Sequence, residues 1–233
     1  MTGESRPPTT RGSHARLPKT AMAAVVVGVC LLMTACSDSG TVAAGDVFRV
    51  EIEACAGVSH QRATAMAVGP DLVATAAHTF ETARSALVRA VDGGEIAAEV
   101  VYLDLDSDVA LLSVDAAPLR IFALTAADDG AEVTIPTYAD ADGVEIKQAT
   151  VLRSVSATLD GEGRRQAVEL SASIDPGDSG APVVDADGRA VGMVFASSRR
   201  DDRGWAVAAA ELEAAIAAVA DEGHEPPPSR CRS

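Results

Sequence analysis

The sequence predicts an all-β protein, a barrel or a sandwich, with one helix near its C-terminal end. The first observation is a series of about a dozen short apolar segments, several of which alternate apolar and polar residues as a half-buried strand does. The second is that the turns between them are rich in aspartate and glycine. Short strands at such close spacing are typical of sandwiches and barrels. The third is that helical periodicity is convincing only in residues 211–220, where Leu212, Ile216 and Val219 share one face.

The strands are expected to follow one another along most of the chain after residue 46. Each predicted strand is an apolar or alternating segment bounded by turn residues, and Gly69-Pro70-Asp71 reads as the first hairpin turn. The predicted strands are residues 47–53, 64–68, 72–76, 86–91, 95–103, 109–114, 131–135, 149–158, 166–171, 181–184, 190–196 and 205–208. We find no internal repeat and no change of composition that would require a second chain-level domain.

The segment before the first strand is interpreted as a targeting signal. Residues 1–20 are polar and basic, and residues 21–33 form an apolar run. That run is shorter than the roughly 20 residues needed to span a bilayer, and it suits the core of a secretory signal. The segment Leu32-Met33-Thr34-Ala35-Cys36 resembles a bacterial lipobox, in which small residues precede a cysteine that becomes lipidated.

Residues 1–35 are therefore predicted to be a lipoprotein signal peptide, and Cys36 the lipidated residue. Residues 36–46 are polar and small, as expected of a flexible tether. This arrangement predicts an extracytoplasmic protein held to the bacterial cell membrane by lipid. The alternative is an ordinary cleaved signal with an incidental cysteine, which would leave the protein secreted.

The remaining cysteines, Cys55 and Cys231, form an even pair in a compartment where disulfides persist. A bond between them would join the first strand to the polar tail, residues 221–233, and would close a long loop. The alternative is two free thiols. None of the four histidines lies at metal-ligand spacing from a cysteine, so we expect no metal site of that type.

The charge of the chain bears on its partners. The chain has 34 acidic and 19 basic side chains, which gives a formal net charge of −15. A protein that binds nucleic acid needs a basic surface to neutralise phosphates. The composition therefore excludes nucleic acid as a predicted partner and favours a soluble, self-repelling surface.

Three features supply the parts of a catalytic triad in the order histidine, aspartate and serine. His78 follows an apolar strand, Asp108 precedes another, and Ser179 lies in a turn of glycine, proline and aspartate. A serine hydroxyl becomes an effective nucleophile when a base lies within hydrogen-bond reach, and a carboxylate then fixes the tautomer of that base. The other histidines lie in the leader, in the tail or outside any motif. The pattern predicts acyl-transfer chemistry.

The aspartate is not chosen by spacing alone, because Asp104, Asp106 and Asp108 alternate along the chain. Asp108 directly precedes the apolar run 109–112, which favours it. The same alternation occurs in calcium-binding loops, but Val109 stands where such a loop needs glycine. Neither a metal nor a cofactor is therefore predicted.

Together these features resemble the chymotrypsin-like serine proteases, and especially the bacterial high-temperature-requirement type. The resemblance spans about residues 47–220 and is carried by segments 69–78, 108–112 and 175–182, with Gly192-Met193-Val194 and Gly204-Trp205-Ala206-Val207 further on. It implies two six-stranded antiparallel β-barrels with the active site in the cleft between them, plus the C-terminal helix. The two halves would meet near residues 115–130.

The resemblance also implies a role for each residue of the site. His78 would be the base, Asp108 its partner and Ser179 the nucleophile, with the backbone N–H groups of Gly177 and Ser179 forming the oxyanion hole. Asp178 would be supportive. In relatives that are activated by cleavage its counterpart pairs with a new N-terminus. We expect that switch to be absent here, so Asp178 needs another partner, which the sequence does not identify.

The substrate pocket is also inferred from the resemblance. Ser173 matches the pocket floor, and Ala196, Ser197 and Ser198 match its wall strand. With no acid at the floor, the expected preference is for small to medium uncharged side chains. Two departures from the family are segment 62–65, where relatives often carry a glycine-rich strand, and Thr79, which stands where animal relatives have a disulfide cysteine.

The resulting hypothesis is a lipid-anchored serine endopeptidase that cleaves protein or peptide substrates outside the cytoplasm through an acyl-enzyme. The alternative hypothesis is a catalytically silent member of the family that serves as a binding module at the cell surface. The complete set of triad residues favours the enzyme.

Overall fold

The computed structural model describes residues 47–54, 60–80, 83–91, 93–115, 120–140, 143–159, 162–198 and 201–222, all of which belong to one compact unit. Within these residues, twelve strands precede a single α-helix. The strands are β1 Val47–Ala54, β2 His60–Gly69, β3 Leu72–Ala76, β4 Ala83–Arg89, β5 Glu95–Asp104, β6 Val109–Val114, β7 Glu132–Asp140, β8 Gly143–Leu159, β9 Glu162–Leu170, β10 Pro182–Val184, β11 Ala190–Ser197 and β12 Gly204–Ala208. The helix α1 is Ala209–Glu222, and a short 3₁₀ turn, Ala77–Phe80, follows β3.

Strands β1 to β6 form a closed antiparallel barrel, the first barrel, in the order β1-β2-β3-β6-β5-β4. Strands β3 and β6 are apolar almost throughout, because both of their faces are covered. Val73 and Leu112 point into the first barrel, whereas Ala74 and Leu111 pack with residues of β11 and α1. The period of two along a strand explains how one apolar run serves two cores.

Strands β7 to β12 form the second barrel, in the order β10-β11-β12-β9-β8-β7. The ring closes where Val184 of β10 pairs with Thr134 of β7. Its interior is aliphatic and includes Ile135, Val151 and Leu170. The helix α1 packs its apolar face into the cluster shared with the first barrel, which buries the residues predicted to form that face, Leu212 and Val219, fully and Ile216 in part.

The predicted fold class is confirmed, with two six-stranded rings and one C-terminal helix. The main difference lies in β8, which begins at residue 143 rather than at 149. Residues 144–147 alternate apolar and polar side chains, Val-Glu-Ile-Lys, as a strand does, and their backbone pairs with β7, for example Ile146 with Pro136. The predicted start at residue 149 was therefore too late, and the signal that it missed was this short alternation.

The segments predicted to be a signal peptide and a tether, together with Cys36, Cys55 and Cys231, lie outside the described residues. The lipid anchor and the disulfide therefore stay predictions. Among the described residues, no helix combines the length and the apolar character that crossing a bilayer requires.

Candidate active site

The pairing of β3 with β6 brings His78 and Asp108 together. Ala76 lies opposite Val109 in this register, so the residues just beyond the two strand ends are neighbours. The backbone N–H of His78 donates to Asp108 Oδ1 at 2.7 Å, and His78 Nδ1 lies 2.8 Å from Asp108 Oδ2. Two contacts to one carboxylate fix both the backbone and the ring of the histidine.

Asp108 is the aspartate of the three that contacts His78. It is only 1% exposed and has a φ of 61°, an uncommon left-handed conformation for a residue with a side chain. The carboxylate of Asp104 is used inside the turn, where it accepts hydrogen bonds from Asp106 N at 2.9 Å and Ser107 Oγ at 2.7 Å. The structure thus separates the alternating acids that the spacing alone left open.

Ser179 comes from the second barrel and lies in the turn between β9 and β10. Its Oγ is 3.2 Å from His78 Nε2, at the outer edge of hydrogen-bond reach. Hydroxyl, imidazole and buried carboxylate therefore form an unbroken line across the junction of the barrels. This is the contact geometry that activates a serine nucleophile.

The turn that carries Ser179 depends on two glycines. Gly177 has a φ of 103° and Gly180 a φ of 88°, both in the region that favours glycine. A Cβ on Gly180 would lie 2.0 Å from the carbonyl oxygen of Thr64, so no side chain fits there. Within the described part of the chain, the backbone N–H groups of Gly177 and Ser179 have no hydrogen-bond partner, which leaves both free to donate.

Asp178 has a partner that the sequence analysis did not identify, Lys147 on β8. Lys147 Nζ lies 2.6 Å from Asp178 Oδ2 and 2.6 Å from Asp175 Oδ2, and Asp175 N also donates to Asp178 Oδ2. Burial favours the neutral amine, but the hydrogen bonds and charges of the two aspartates outweigh it and raise the pKa of Lys147 above its ordinary value. Lys147 is the only lysine after residue 19, and this was the one feature of the sequence that could have drawn attention to it as a partner of Asp178.

Thr64 is a second residue that the sequence analysis missed, and it lies in the segment 62–65 that departs from the family pattern. Its N–H donates to the Ser179 carbonyl at 2.8 Å, and its Oγ1 donates to the Gly177 carbonyl at 3.0 Å. Thr75 Oγ1 donates in turn to the Thr64 carbonyl at 2.7 Å. Strand β2 of the first barrel thus holds the nucleophile turn of the second by side-chain and backbone bonds.

A cavity of about 460 Å³ opens between β8, β9, β11 and β12. Two of the four predicted pocket residues, Ala196 and Ser197, line it together with Phe195 and Trp205, whereas Ser173 and Ser198 are not among its lining residues. Other lining residues are Arg153, Val155, Ser156, Ala157, Thr158 and Glu169.

Strand β11 also runs beside the nucleophile turn, because Gly180 N donates to the Val194 carbonyl and Val194 N to the Ala181 carbonyl, each at 2.8 Å. The cavity wall and the serine are therefore parts of one hydrogen-bonded unit.

Two features concern packing and charge on this side of the site. Ile174 is buried against Gly204, where an added Cβ would lie 2.5 Å from Ile174 Cγ1. Glu169, the acid in the cavity wall, is buried and bound by Arg153 at 2.6 Å and by Arg203. Hydrogen bonds from these two arginines hold the pKa of Glu169 below its ordinary value. Its charge is thus already compensated from within the protein.

Residues 63–193 match the family model of the trypsin-like peptidase domain, and the chain belongs to that family. Among curated proteins it is similar to serine protease Rv3671c of Mycobacterium tuberculosis, with 30% identity over 165 residues, which are 67% of this chain and 41% of the relative. It is also similar to a probable periplasmic DegP-like serine endoprotease of Halomonas elongata, with 29% identity over 126 residues, 52% of this chain and 26% of that protein. The chain thus spans about two fifths of the length of the mycobacterial relative.

Solved structures show the same relationship. The active form of the M. tuberculosis Rv3671c protease superposes with a TM-score of 0.71 at 26% identity, covering 81% of this chain and 86% of that one. Its inactive form gives a TM-score of 0.64 over 75% of this chain and 88% of that one, at 26% identity. The HtrA-type protease AlgW with a tripeptide gives a TM-score of 0.70 at 20% identity over 78% of this chain and 62% of that one, which speaks to the fold alone. The chain is therefore homologous to proteins named as serine proteases.

Proposed function

We propose that this protein is a serine endopeptidase that hydrolyses peptide bonds in protein or peptide substrates through an acyl-enzyme on Ser179. The observation that carries the proposal is the unbroken contact line from Ser179 Oγ through His78 to Asp108. The membership of the trypsin-like peptidase family and the names of the relatives support it.

In the proposed reaction, Ser179 Oγ attacks the substrate carbonyl carbon while His78 Nε2 takes the hydroxyl proton. His78 then gives that proton to the amine nitrogen as the carbon–nitrogen bond breaks, which leaves the acyl group on Ser179. A water molecule then attacks the acyl carbon while His78 takes a proton from it. His78 returns that proton to Ser179 Oγ as the acyl–oxygen bond breaks, which releases the carboxylic acid. Asp108 accepts from Nδ1–H and so keeps the lone pair of Nε2 directed at the serine.

The oxyanion that forms in each step is proposed to lie between the N–H groups of Gly177 and Ser179. Two donors held in advance stabilise the developing charge without reorganisation, and the loss of one such donor costs about 10²–10³ in kcat in related chemistry. The bonds of Lys147 to Asp178 and of Thr64 to Gly177 support the turn in which both donors lie.

Substrates with small to medium uncharged side chains before the cleaved bond are the proposed class. The compensated charge of Glu169 in the cavity wall supports a pocket that offers no free acid to a substrate side chain. Sequencing the products from a mixed peptide library checks this. Cleavage mainly after lysine or arginine would contradict it.

The protein is proposed to act outside the cytoplasm, where a lipid on its own Cys36 anchors it to the membrane. The apolar run and the lipobox-like segment support this, as does the periplasmic relative. Cys36→Ala, or a globomycin-like inhibitor of lipoprotein processing, should move the protein out of its normal membrane fraction. An unchanged membrane fraction would count against the anchor.

A disulfide between Cys55 and Cys231 is proposed with the same location, because both cysteines remain after the signal is removed. Mass spectrometry of the unreduced, digested protein should show the two peptides joined. Two free thiols would refute the bond.

The enzymatic proposal is tested by labelling the full chain with a fluorophosphonate, which reacts with an activated serine. We expect labelling of the wild type and of Ser154→Ala, a control at an exposed serine on β8, but not of Ser179→Ala. Hydrolysis of an unfolded protein substrate should follow the same pattern. A folded wild type that is neither labelled nor active would favour the silent binding module instead.

A further inference from the structure

Arg165 on β9 is a buried arginine next to the proposed triad. It is 2% exposed and is the largest of the fully buried side chains among the described residues. Arginine is rarely buried without partners, because a desolvated charge is costly. Its surroundings therefore need a physical explanation.

The guanidinium group touches Asp108 and the turn that leads to it. Arg165 Nη1 lies 3.4 Å from Asp108 Oδ2, and Nη2 donates to the Leu105 carbonyl at 3.2 Å. The guanidinium carbon lies 5.0 Å from the ring centroid of Phe195 on β11, within range of a cation–π contact. The group is thus fixed on one side by the second barrel and contacts the first barrel on the other.

These contacts do not amount to a fully satisfied structural ion pair. Within the described part of the chain, Nε and Nη1 of Arg165 have no hydrogen-bond partner. Buried unpaired donors cost free energy, and an apolar residue of similar size would cost less, so stability does not explain an arginine here. What distinguishes the surroundings of Arg165 is its neighbour Asp108, a residue whose backbone is in the left-handed conformation.

Asp108 needs external support for that conformation. A residue with a side chain at positive φ persists when its surroundings hold it there. His78 N and Nδ1 hold the carboxylate from the first barrel, and Ala77 N donates to the Asp108 carbonyl at 3.2 Å. Arg165 is the contact from the second barrel; its Nη1 lies near the same oxygen, Oδ2, that His78 Nδ1 contacts, and its Nη2 reaches the preceding turn.

We propose that Arg165 is a positioning residue of the reaction, which holds Asp108 in the orientation that directs His78 towards Ser179. The inference rests on the proposed function of the triad. Arg165 supplies the counter-charge for the buried carboxylate while His78 is neutral. Its positive charge then opposes the imidazolium that forms when His78 takes the serine proton.

Removing the charge of Arg165 and its contacts with Asp108 and Leu105 should therefore have two effects on the reaction. The proton transfer slows because Asp108 is less well placed, and the imidazolium becomes easier to form because a nearby positive charge is gone. The charged groups that contact Asp108 are His78, from the turn after β3, and Arg165, from β9. Among the described residues, β6 and β11 add no further charged group to this contact.

The test compares Arg165→Met, which keeps length and loses charge, with Arg165→Lys, which keeps charge but not the planar stacked group. The control is Arg189→Met, which removes an exposed arginine whose partners are Asp185 and Asp187 in the turn after β10. The readouts on the full chain are the rate constant kinact and the concentration constant KI of a fluorophosphonate, measured against pH. Denaturant melts report folding, and titration of reactive sites reports the active fraction.

For Arg165→Met we expect kinact to fall about 10- to 100-fold with KI unchanged, the size expected of a misplaced catalytic group. The acid limb of its pH profile should move to higher pH, because a positive charge that opposes the imidazolium is removed. Arg165→Lys should keep the wild-type acid limb and lose less in kinact, and Arg189→Met should match the wild type in both. A folded Arg165→Met with wild-type kinact and acid limb would overturn the proposal, as would a loss explained entirely by a smaller active fraction.

If Arg165→Met does not fold, Arg165→Lys decides alone, and a wild-type kinact in that variant contradicts the proposal. A readout independent of turnover is the far-downfield NMR resonance of the His78 Nδ1 proton. It should shift or broaden in the Arg165 variants and stay in place in Arg189→Met. Because this signal needs no reaction at Ser179, a failure of the Arg165 proposal can be told from a failure of the proposed enzymatic function.

Discussion

Two buried carboxylates flank the candidate active site, and each contacts a cation from the second barrel. Asp108 contacts Arg165 at 3.4 Å, across the junction of the barrels, whereas Asp178 contacts Lys147 at 2.6 Å, within the second barrel. Asp108 is 1% exposed and Asp178 is 2% exposed. Asp108, beside the base His78, defines the base half of the site, and Asp178, beside Ser179, defines the nucleophile half. Each half thus pairs a buried carboxylate with a cation, but the cations differ.

The difference between the cations predicts different sensitivities to pH. A guanidinium stays charged at any pH that a protein tolerates, so the contact at Asp108 is not lost by titration of Arg165. An ammonium can lose its proton, so the contact at Asp178 ends when Lys147 becomes neutral. As the pH rises, the contact between Lys147 and Asp178 in the nucleophile half should therefore be lost first. The contact between Arg165 and Asp108 in the base half should persist, because Arg165 keeps its charge.

The largest effect is expected at Asp108 itself. Asp108→Asn should lower the rate of fluorophosphonate labelling by about 10⁴ with the fold retained, because an amide favours the wrong tautomer of His78. Asp106→Asn, at an exposed position in the same turn, should label as the wild type does. Equal labelling of Asp108→Asn and the wild type would show that the two halves are not joined through this carboxylate.

The next largest effect should come from removing the lysine. Lys147→Met leaves the buried carboxylate of Asp178 without its cation, and breaking a buried pair in this way costs about 3–5 kcal/mol of stability. Denaturant unfolding measures this cost, and the labelling rate should fall with it because the nucleophile turn loosens. Arg189→Met, which breaks a pair with Asp185 at the surface, should cost far less stability, because solvent screens that pair. Similar losses in the two variants would refute the assignment.

A third effect concerns alkaline pH. The pKa of Lys147 in the folded protein is raised above its ordinary value of 10.5, so its contribution is complete below that value and is lost as pH rises through the folded pKa. A site held by a free α-amino group would instead lose its support near pH 8. Labelling should thus persist well above pH 8, with Lys147→Arg extending the range. A decline centred near pH 8 would contradict the role of Lys147.

The smallest effect is expected at Glu169, in the cavity wall. Its pKa is lowered by Arg153 and Arg203, so its stabilising contribution is present above its ordinary value of 4.5 and is lost as pH falls below it. Both arginines are about half exposed or more, which weakens the effect through solvent screening. Glu169→Gln should lower Tm by a few degrees at pH 7 and converge with the wild type at acid pH. A constant gap in Tm would rule out this explanation.

Much of this arrangement could be predicted from the sequence because it depends on local patterns. The alternation along 47–53 and the apolar run 109–114 reproduce β1 and β6 closely. The three residues that the structure brings into contact, His78, Asp108 and Ser179, each follow or precede such a strand or lie in a glycine-rich turn.

The supporting contacts could not be predicted in the same way, because they depend on how the two rings close. Arg165 and Asp108 are 57 positions apart on different barrels, and no periodicity relates them. Lys147 is a polar member of the alternating segment 144–147, and nothing in that segment indicates that its partner is Asp178, 31 positions further on. Thr64 reads as an ordinary strand residue until the backbone of Ser179 is placed beside it.

The central proposal is that the serine protease site is complete in the uncut chain, with Lys147 as the cation that contacts Asp178. Intact-mass spectrometry of the full protein after reaction with a fluorophosphonate tests it most directly. The account predicts one adduct per chain, located at Ser179, on molecules that are continuous from residue 47 to residue 222. Adducts confined to chains cleaved within that range, or a folded protein that carries none, would contradict it.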